Sequence, residues 1–250
     1  MIIMDAFQVY KYYLALKLHF TTDKYDVIKQ KGKVRASRQA FAKRSDLFAI
    51  NKIAKKYSVP VIVDAAAQLP PLSNLWQFTS DEGADLAIFS GGKALRGPQS
   101  SGLIVGKREF IEAVRVNWAP NQGLGRGFKA SKEEIAGLLT AIELYIAKDH
   151  EGAWRKWSAT VDEWVASLSG STSCSVFRDD INEAGQPVPR VAIKLPDNSA
   201  LDIVAKLQKL DPIVEVVHNS RAMVWISPDS LQPGEEPIVI EQLKKVLPRK

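Results

Sequence analysis

One cysteine, Cys174, stands in 250 residues. That excludes an internal disulfide and fits a reducing compartment, where the thiol is most simply a small buried apolar group. No apolar run approaches the roughly 20 residues needed to cross a bilayer. A secretory pattern is also missing, because Met1-Ile2-Ile3-Met4 is followed at once by Asp5 and a mixed polar and aromatic stretch. These absences predict a soluble cytoplasmic protein with no membrane partner. Histidine is scarce: His19, His150 and His218 are scattered, without ligand spacing to Cys174, so no metal site is expected. The run Gly123-Leu124-Gly125-Arg126-Gly127 lacks the Gly-Lys-Ser/Thr ending of a P-loop and follows no evident strand. It reads instead as a mobile active-site loop. Arg126, with Lys129 beside it, is then a candidate for holding an anionic substrate group, or equally a solvent-facing arginine.

The chain has ample length for a sizeable core, in one or two domains. Its net charge of +6 is unevenly spread. Residues 1–58 carry 13 Lys and Arg against 4 Asp and Glu, whereas residues 59–250 carry 21 against 24. Aromatic usage divides at the same place: five of the six tyrosines precede Ser58 and all six tryptophans follow it. Such a shift predicts two segments of different origin or task. No Gly/Ser linker separates them.

Beyond that join, two apolar runs end in polar chemistry. Pro60-Val61-Ile62-Val63 breaks at Asp64-Ala65-Ala66-Ala67-Gln68, and Ala84-Asp85-Leu86-Ala87-Ile88-Phe89 breaks at Ser90-Gly91-Gly92-Lys93. Both read as short buried strands. In open α/β sheets the ligand crevice lies beyond the carboxyl ends of parallel strands, so this pattern can aim Asp64 and Lys93 into one pocket. A carboxylate facing a lysine on a glycine turn suits pyridoxal phosphate, whose aldehyde forms a Schiff base with an amine and whose pyridine nitrogen keeps its proton beside an acid. Taken singly, Asp64 reads more simply as a helix cap and Lys93 as a solvated loop lysine.

From Val59 to Lys107, the run VPVIVDAAAQLPPLSNLWQFTSDEGADLAIFSGGKALRGPQSSGLIVGK resembles fold-type I pyridoxal-phosphate enzymes, in particular the seryl-tRNA selenium transferase-like group that includes D-glucosaminate-6-phosphate ammonia-lyases. The resemblance implies an α/β chain: a partial large domain of the PLP-transferase fold over residues 59–150, then a small α+β domain over 151–250. It implies pyridoxal 5'-phosphate as cofactor and a lyase or transferase reaction on a small amino substrate, an amino acid or amino sugar acid. Asp64 matches the acid that pairs with the pyridine nitrogen, Ala66 a small residue against the ring face, Ser90 the hydroxyl that reaches the cofactor phosphate, and Lys93 the Schiff-base lysine. Cysteine-desulfurase relatives place a glutamine against the ring hydroxyl three residues after the acid; Gln68 stands four residues after Asp64, displaced by one. The segment Arg96-Gly97-Pro98-Gln99-Ser100-Ser101-Gly102 resembles a loop near the dimer interface of relatives, so a homodimer is implied. Roughly the first half of the relatives' large domain, with its phosphate cup, has no counterpart before Asp64.

The basic segment resembles another family. Val9, Tyr13, Leu16 and Phe20 recur at helical spacing from Asp5 to Phe20, and a second helix is predicted from near Ser37 toward Tyr57, with Phe41, Phe48, Ile50 and Ile53 on its apolar side. Between them Lys24, Lys29, Lys31, Lys33, Arg35 and Arg38 cluster around Gly32. Clustered cations suit a phosphate backbone, though a solvated helical face has the same composition. Val9-Tyr10-Lys11-Tyr12-Tyr13-Leu14, Lys24-Tyr25-Asp26-Val27-Ile28-Lys29, Phe41-Ala42-Lys43-Arg44-Ser45-Asp46 and Ile53-Ala54-Lys55-Lys56-Tyr57 look like the N-terminal region of phage helicase-loading proteins. That resemblance implies DNA contact through residues 1–58 and gives the alternative function, a DNA-binding protein of the helicase-loader kind. An inactive chimera of the two parts is the third reading.

In the C-terminal half, Ser131 and Glu134 have the capping-box spacing, and Ile135, Leu138, Leu139, Ile142 and Ile146 mark one face of a helix expected over Lys132 to Lys148. Trp157, Val161, Trp164 and Leu168 continue at helical spacing and read as packing. Strands are expected at Cys174 to Phe177, Arg190 to Leu195, Val214 to Val217 and Ala222 to Ile226, and helices at Ala200 to Leu210 and Val239 to Leu247.

Overall fold

The computed structural model describes residues 2–4, 44–197, 199–219 and 221–249. The helix expected over Asp5 to Phe20, the basic run Lys24 to Arg38, His19 and Phe41 lie outside them. The chain forms two compact units, one of Met1–Lys148 with Glu183–Gln186, the other of Asp149–Asn182 with Pro187–Lys250.

The first unit is built on a four-stranded sheet, β1 (Ile2–Met4), β2 (Ile62–Asp64), β3 (Leu86–Ser90) and β4 (Gly102–Gly106), in the order β1-β4-β3-β2. β2 and β3 are parallel, with Asp64 opposite Ile88, while β4 runs antiparallel to β3 and to β1. Both expected strands therefore exist, each beginning two residues later than the sequence pattern places it. The polar group inside the second run explains the delay. Asp85 accepts the Val61 amide through Oδ2 at 2.7 Å and the Lys107 amine through Oδ1 at 2.5 Å, so it clamps the entrances of both strands. That hydrogen bond raises the Lys107 pKa above the ordinary lysine value.

Alternation assigns the two faces of this sheet. Val63, Ala87, Phe89 and Leu103 join one apolar cluster, and Leu86, Ile88 and Ile104 join another. The first cluster is completed by α1 (Arg44–Lys56), α2 (Asn74–Ser80) and α4 (Lys132–Ala147), through Leu47, Leu75, Leu138, Ile142 and Tyr145. The second is completed by α3 (Arg108–Asn117), through Val114 and the following Trp118. The unit is thus a helix–sheet–helix sandwich.

Two helical faces differ from expectation. On α1, Phe48, Ile50 and Ile53 are exposed, and the buried positions are Leu47 and Asn51. Asn51 donates from Nδ2 to the Glu82 carbonyl at 2.6 Å, which satisfies a buried acceptor that an apolar residue would leave unpaired. On α4, Leu138 and Ile142 are buried as expected, but the stripe continues through Ala141 and Tyr145, leaving Leu139 and Ile146 exposed. The capping box at Ser131 forms, with both reciprocal hydrogen bonds. The Tyr145 hydroxyl lies in that core, and burial pushes its pKa up to about 12.

The second unit is an antiparallel sheet, β5 (Ser175–Asp179), β6 (Arg190–Lys194), β8 (Met223–Ile226) and β7 (Val217–His218) in that order, with α5 (His150–Ser169), α6 (Ala200–Leu207) and α7 (Glu236–Val246). Val161, Trp164 and Leu168 of α5 enter one core with Val191, Ile193, Val224, Ile203 and Leu243, so this part of the expected stripe packs, while Trp157 is half-buried outside that cluster. β7 is confined to Val217–His218, because Val214 and Val216 reach the core from irregular backbone. Cys174 is buried and unpaired. Among the described residues, no three His, Cys, Asp or Glu side chains gather as a metal site, and no helix is long and apolar enough to cross a membrane.

Candidate functional site

Parallel pairing puts the ends of β2 and β3 at one edge of the sheet, the edge at which β4 begins opposite Ser90. Asp64 closes β2 and is exposed. Its Oδ1 accepts the Ala66 amide at 3.1 Å, and the Ala65 amide extends the β2–β3 ladder to the Ile88 carbonyl at 2.8 Å. The segment after Asp64 is a turn, and the next helix starts only at Asn74, so Asp64 is not a helix cap. Ala66 is half-buried in that turn. Gln68 donates from Nε2 to the Ala184 carbonyl at 2.9 Å.

Ser90 ends β3 and is buried. Gly91 and Gly92 then carry the chain into the exposed turn holding Lys93, whose amine has no ion-pair or hydrogen-bond partner among the described residues. The turn is stitched to the strap of residues 97–101: the Gly91 amide donates to the Ser101 carbonyl and the Gly97 amide to the Gly91 carbonyl, each at 2.8 Å. A Cβ at Gly91 would overlap the Ser101 hydroxyl and stand 2.9 Å from its carbonyl oxygen, and one at Gly92 would stand 2.6 Å from the Gln99 Cα. Glycine is required at both places by this close approach. Replacing Gly91 with alanine is expected to cost about 1–3 kcal/mol, as overpacking does, read by urea denaturation; an unchanged midpoint would reject the interlock.

The strap rests in turn on α4. Pro98 lies against Gly137, and Leu138 underlies both Gly91 and Gly97. Glu134 joins the two: its Oε2 accepts the Ser131 amide at 2.6 Å, while Oε1 accepts the Ser100 hydroxyl. The Ser100 hydrogen bond, then the Ser131 amide, hold the Glu134 carboxyl below its ordinary pKa. The capping-box spacing identifies the first contact from sequence; the second needs the fold, since Ser100 is 34 residues away.

Arg126 lies five residues before Ser131, on a short 3-10 turn (Arg126–Phe128) whose Gly125 amide is held by the Asn117 carbonyl at 2.8 Å. α3 follows β4 and packs over the sheet through Val114 and Trp118, against Leu86, Ile88 and Ile104. Arg126 is half-buried, and its Nε is buried with no hydrogen-bond acceptor among the described residues. Lys129 is exposed. The edge therefore holds an acid at the end of β2, a hydroxyl at the end of β3 and an amine on the turn that follows.

Comparison with known proteins gives two similarities. Residues 4–75 match the family described as the T4 gene Gp59 loader of gp41 DNA helicase. Over 202 residues the chain is 26% identical to the D-glucosaminate-6-phosphate ammonia lyase of Salmonella typhimurium, a span covering 78% of this chain and 51% of that protein. It is 27% identical over 204 residues to the L-seryl-tRNA(Sec) selenium transferase of Aquifex aeolicus, covering 70% of this chain and 43% of the other. A solved structure of D-glucosaminate-6-phosphate ammonia-lyase superposes with a TM-score of 0.58 at 24% identity, covering 80% of this chain and 52% of that one. The fold is accordingly shared with that enzyme, and the chain spans about half the length of the curated relatives it matches.

Proposed function

We propose that this chain carries the lysine-bearing part of a pyridoxal-phosphate enzyme of the lyase or transferase kind, acting on an amino acid or amino sugar acid. The observation that carries the reading is that Asp64 and the exposed Lys93 follow the same end of two parallel strands. In this reading residues 59–150 are a large-domain portion, residues 151–250 the small domain and residues 1–58 an added basic segment. The working form is a homodimer in the cytoplasm.

The residues present suit the cofactor in their donor set: an amine and a carboxylate oxygen without partners among the described residues, and a strand-end hydroxyl. When bound, pyridoxal phosphate supplies an aldehyde for covalent attachment and a ring that accepts electron density from the substrate. Lys93 would hold it as a Schiff base and, once released, take or give a proton at Nζ. Asp64, oriented by the Ala66 amide, would keep a proton on the pyridine nitrogen through opposite charge. Ser90 would donate to the phosphate, Ala66 would leave room for the ring face, and Gln68 would meet the ring hydroxyl through Oε1. Arg126 would orient an anionic substrate group through its fork of donors. The experiment is incubation with pyridoxal phosphate, borohydride reduction and peptide mapping: a single adduct on Lys93 is expected, and no adduct at saturating cofactor would sink the reading.

The match of residues 4–75 to the helicase-loader family favours a second reading, DNA binding. Lys52, Lys55 and Lys56 are exposed on α1 and its last turn. Affinity for forked DNA should fall steeply with salt, and replacing these three lysines with alanine should reduce the salt slope by about 3. Binding that is absent, or insensitive to salt, removes this reading.

A further inference from the structure

We propose that Glu134 is a positioning residue for Lys93, fixing the lysine turn to the first turn of α4 through Ser100. The proposal rests on Lys93 being the reactive amine, and it adds a residue that contacts neither cofactor nor substrate.

The Lys93 turn has no helix or strand of its own. Its shape is held by the strap of residues 97–101, through Gly91, Gly92 and Gly97. Within the strap the Ser101 amide and hydroxyl both return to the Pro98 carbonyl, at 3.0 and 2.6 Å, so residues 98–101 move together. Pro98 packs on Gly137 of α4, and Ser100 adds a side-chain hydrogen bond to the same helix, whose acceptor is a carboxylate. Glu134 is fixed there because its other oxygen takes the Ser131 amide while its own amide donates to the Ser131 hydroxyl at 3.1 Å. A carboxylate held at both oxygens is a rigid anchor, and hydrogen bonds to ionised groups are about twice as strong as neutral ones. The same helix start follows the segment carrying Arg126, five residues before Ser131. Glu134 therefore ties two elements of the site to one point: the turn that presents the amine and the segment that presents the guanidinium.

Three substitutions separate this role from general helix stability. Ser100→Ala removes the tie and leaves the capping box intact. Ser131→Ala removes the cap hydroxyl and leaves the tie. Glu134→Gln keeps an acceptor for Ser100 without the charge, against Glu134→Ala, which removes it. Two readouts are taken on the full chain: amide hydrogen exchange of the peptide spanning residues 91–101, and the rate of the borohydride-trapped adduct at Lys93. Loss of a charge-assisted hydrogen bond predicts about tenfold faster exchange in Ser100→Ala. The trapped adduct should form several-fold more slowly, with little change in thermal midpoint. Glu134→Gln should recover most of both readouts relative to Glu134→Ala. Ser131→Ala should lower the midpoint and leave exchange within about twofold. Unchanged exchange in Ser100→Ala overturns the proposal, as does equal acceleration in Ser131→Ala. Should the unmodified chain take no pyridoxal phosphate, the functional reading fails, while the exchange comparison still decides whether the tie holds the turn.

Discussion

Lys93→Ala is expected to abolish the pyridoxal-phosphate adduct completely while leaving the fold intact. Lys93 is exposed and makes no ion pair or hydrogen bond among the described residues, so its loss should change stability by no more than about 0.5 kcal/mol. Loss of the adduct then reports chemistry and not unfolding. Lys93→Arg sharpens the comparison, since it keeps a positive charge and a long side chain but supplies no amine that condenses with an aldehyde. If mere electrostatic attraction held the cofactor, arginine would retain part of the binding. If Lys93 is the point of covalent attachment, both variants should lose the reducible adduct and its visible absorbance. A trapped adduct of equal amount in Lys93→Ala, spread over surface lysines, would remove Lys93 from the site.

The sequence made this pair of residues visible because strand ends in parallel sheets leave a readable mark: an apolar run that breaks into polar chemistry. Asp64 and Ser90 stand at the ends of β2 and β3 for that reason. Helix starts are equally legible where the cap uses local spacing, as at Ser131 and Glu134. What escaped is what depends on partners far along the chain. Asp85 looks like a strand residue in an apolar run, but it clamps Val61 and Lys107 from outside the strand. Asn51 looks like a surface residue between Ile50 and Ile53, yet it faces inward because the Glu82 carbonyl needs a donor. Hydropathy alone therefore assigned α1 the wrong face. Gly91 and Gly92 read as turn residues, whereas their decisive property is contact with a strap several residues later. The sequence marks where the chemistry is, and the fold supplies what holds it still.

Leu138→Ala should be among the most damaging substitutions in the first unit, because one side chain serves both its core and the floor of the lysine turn. Leu138 is fully buried, in the cluster formed by Val63, Ala65, Phe89, Leu95 and Leu103. Its Cδ1 would stand 3.0 Å from a Cβ at Gly91 and 3.1 Å from one at Gly97, so it packs directly beneath the backbone that carries Lys93. Truncation removes transferred apolar surface and leaves a cavity, a combined cost of about 2–5 kcal/mol. Leu138→Met, which nearly conserves volume, should cost less than about 1.5 kcal/mol. Urea unfolding of the two variants checks the pair, and equal midpoints would place Leu138 outside the core. The double substitution with Gly91→Ala tells which neighbour limits the turn. A Cβ at Gly91 meets Ser101 before it meets Leu138, so the space opened by Leu138→Ala should not relieve it. The two costs should then add or worsen; mutual rescue would mean that the turn is confined by α4 from below and not by the strap beside it.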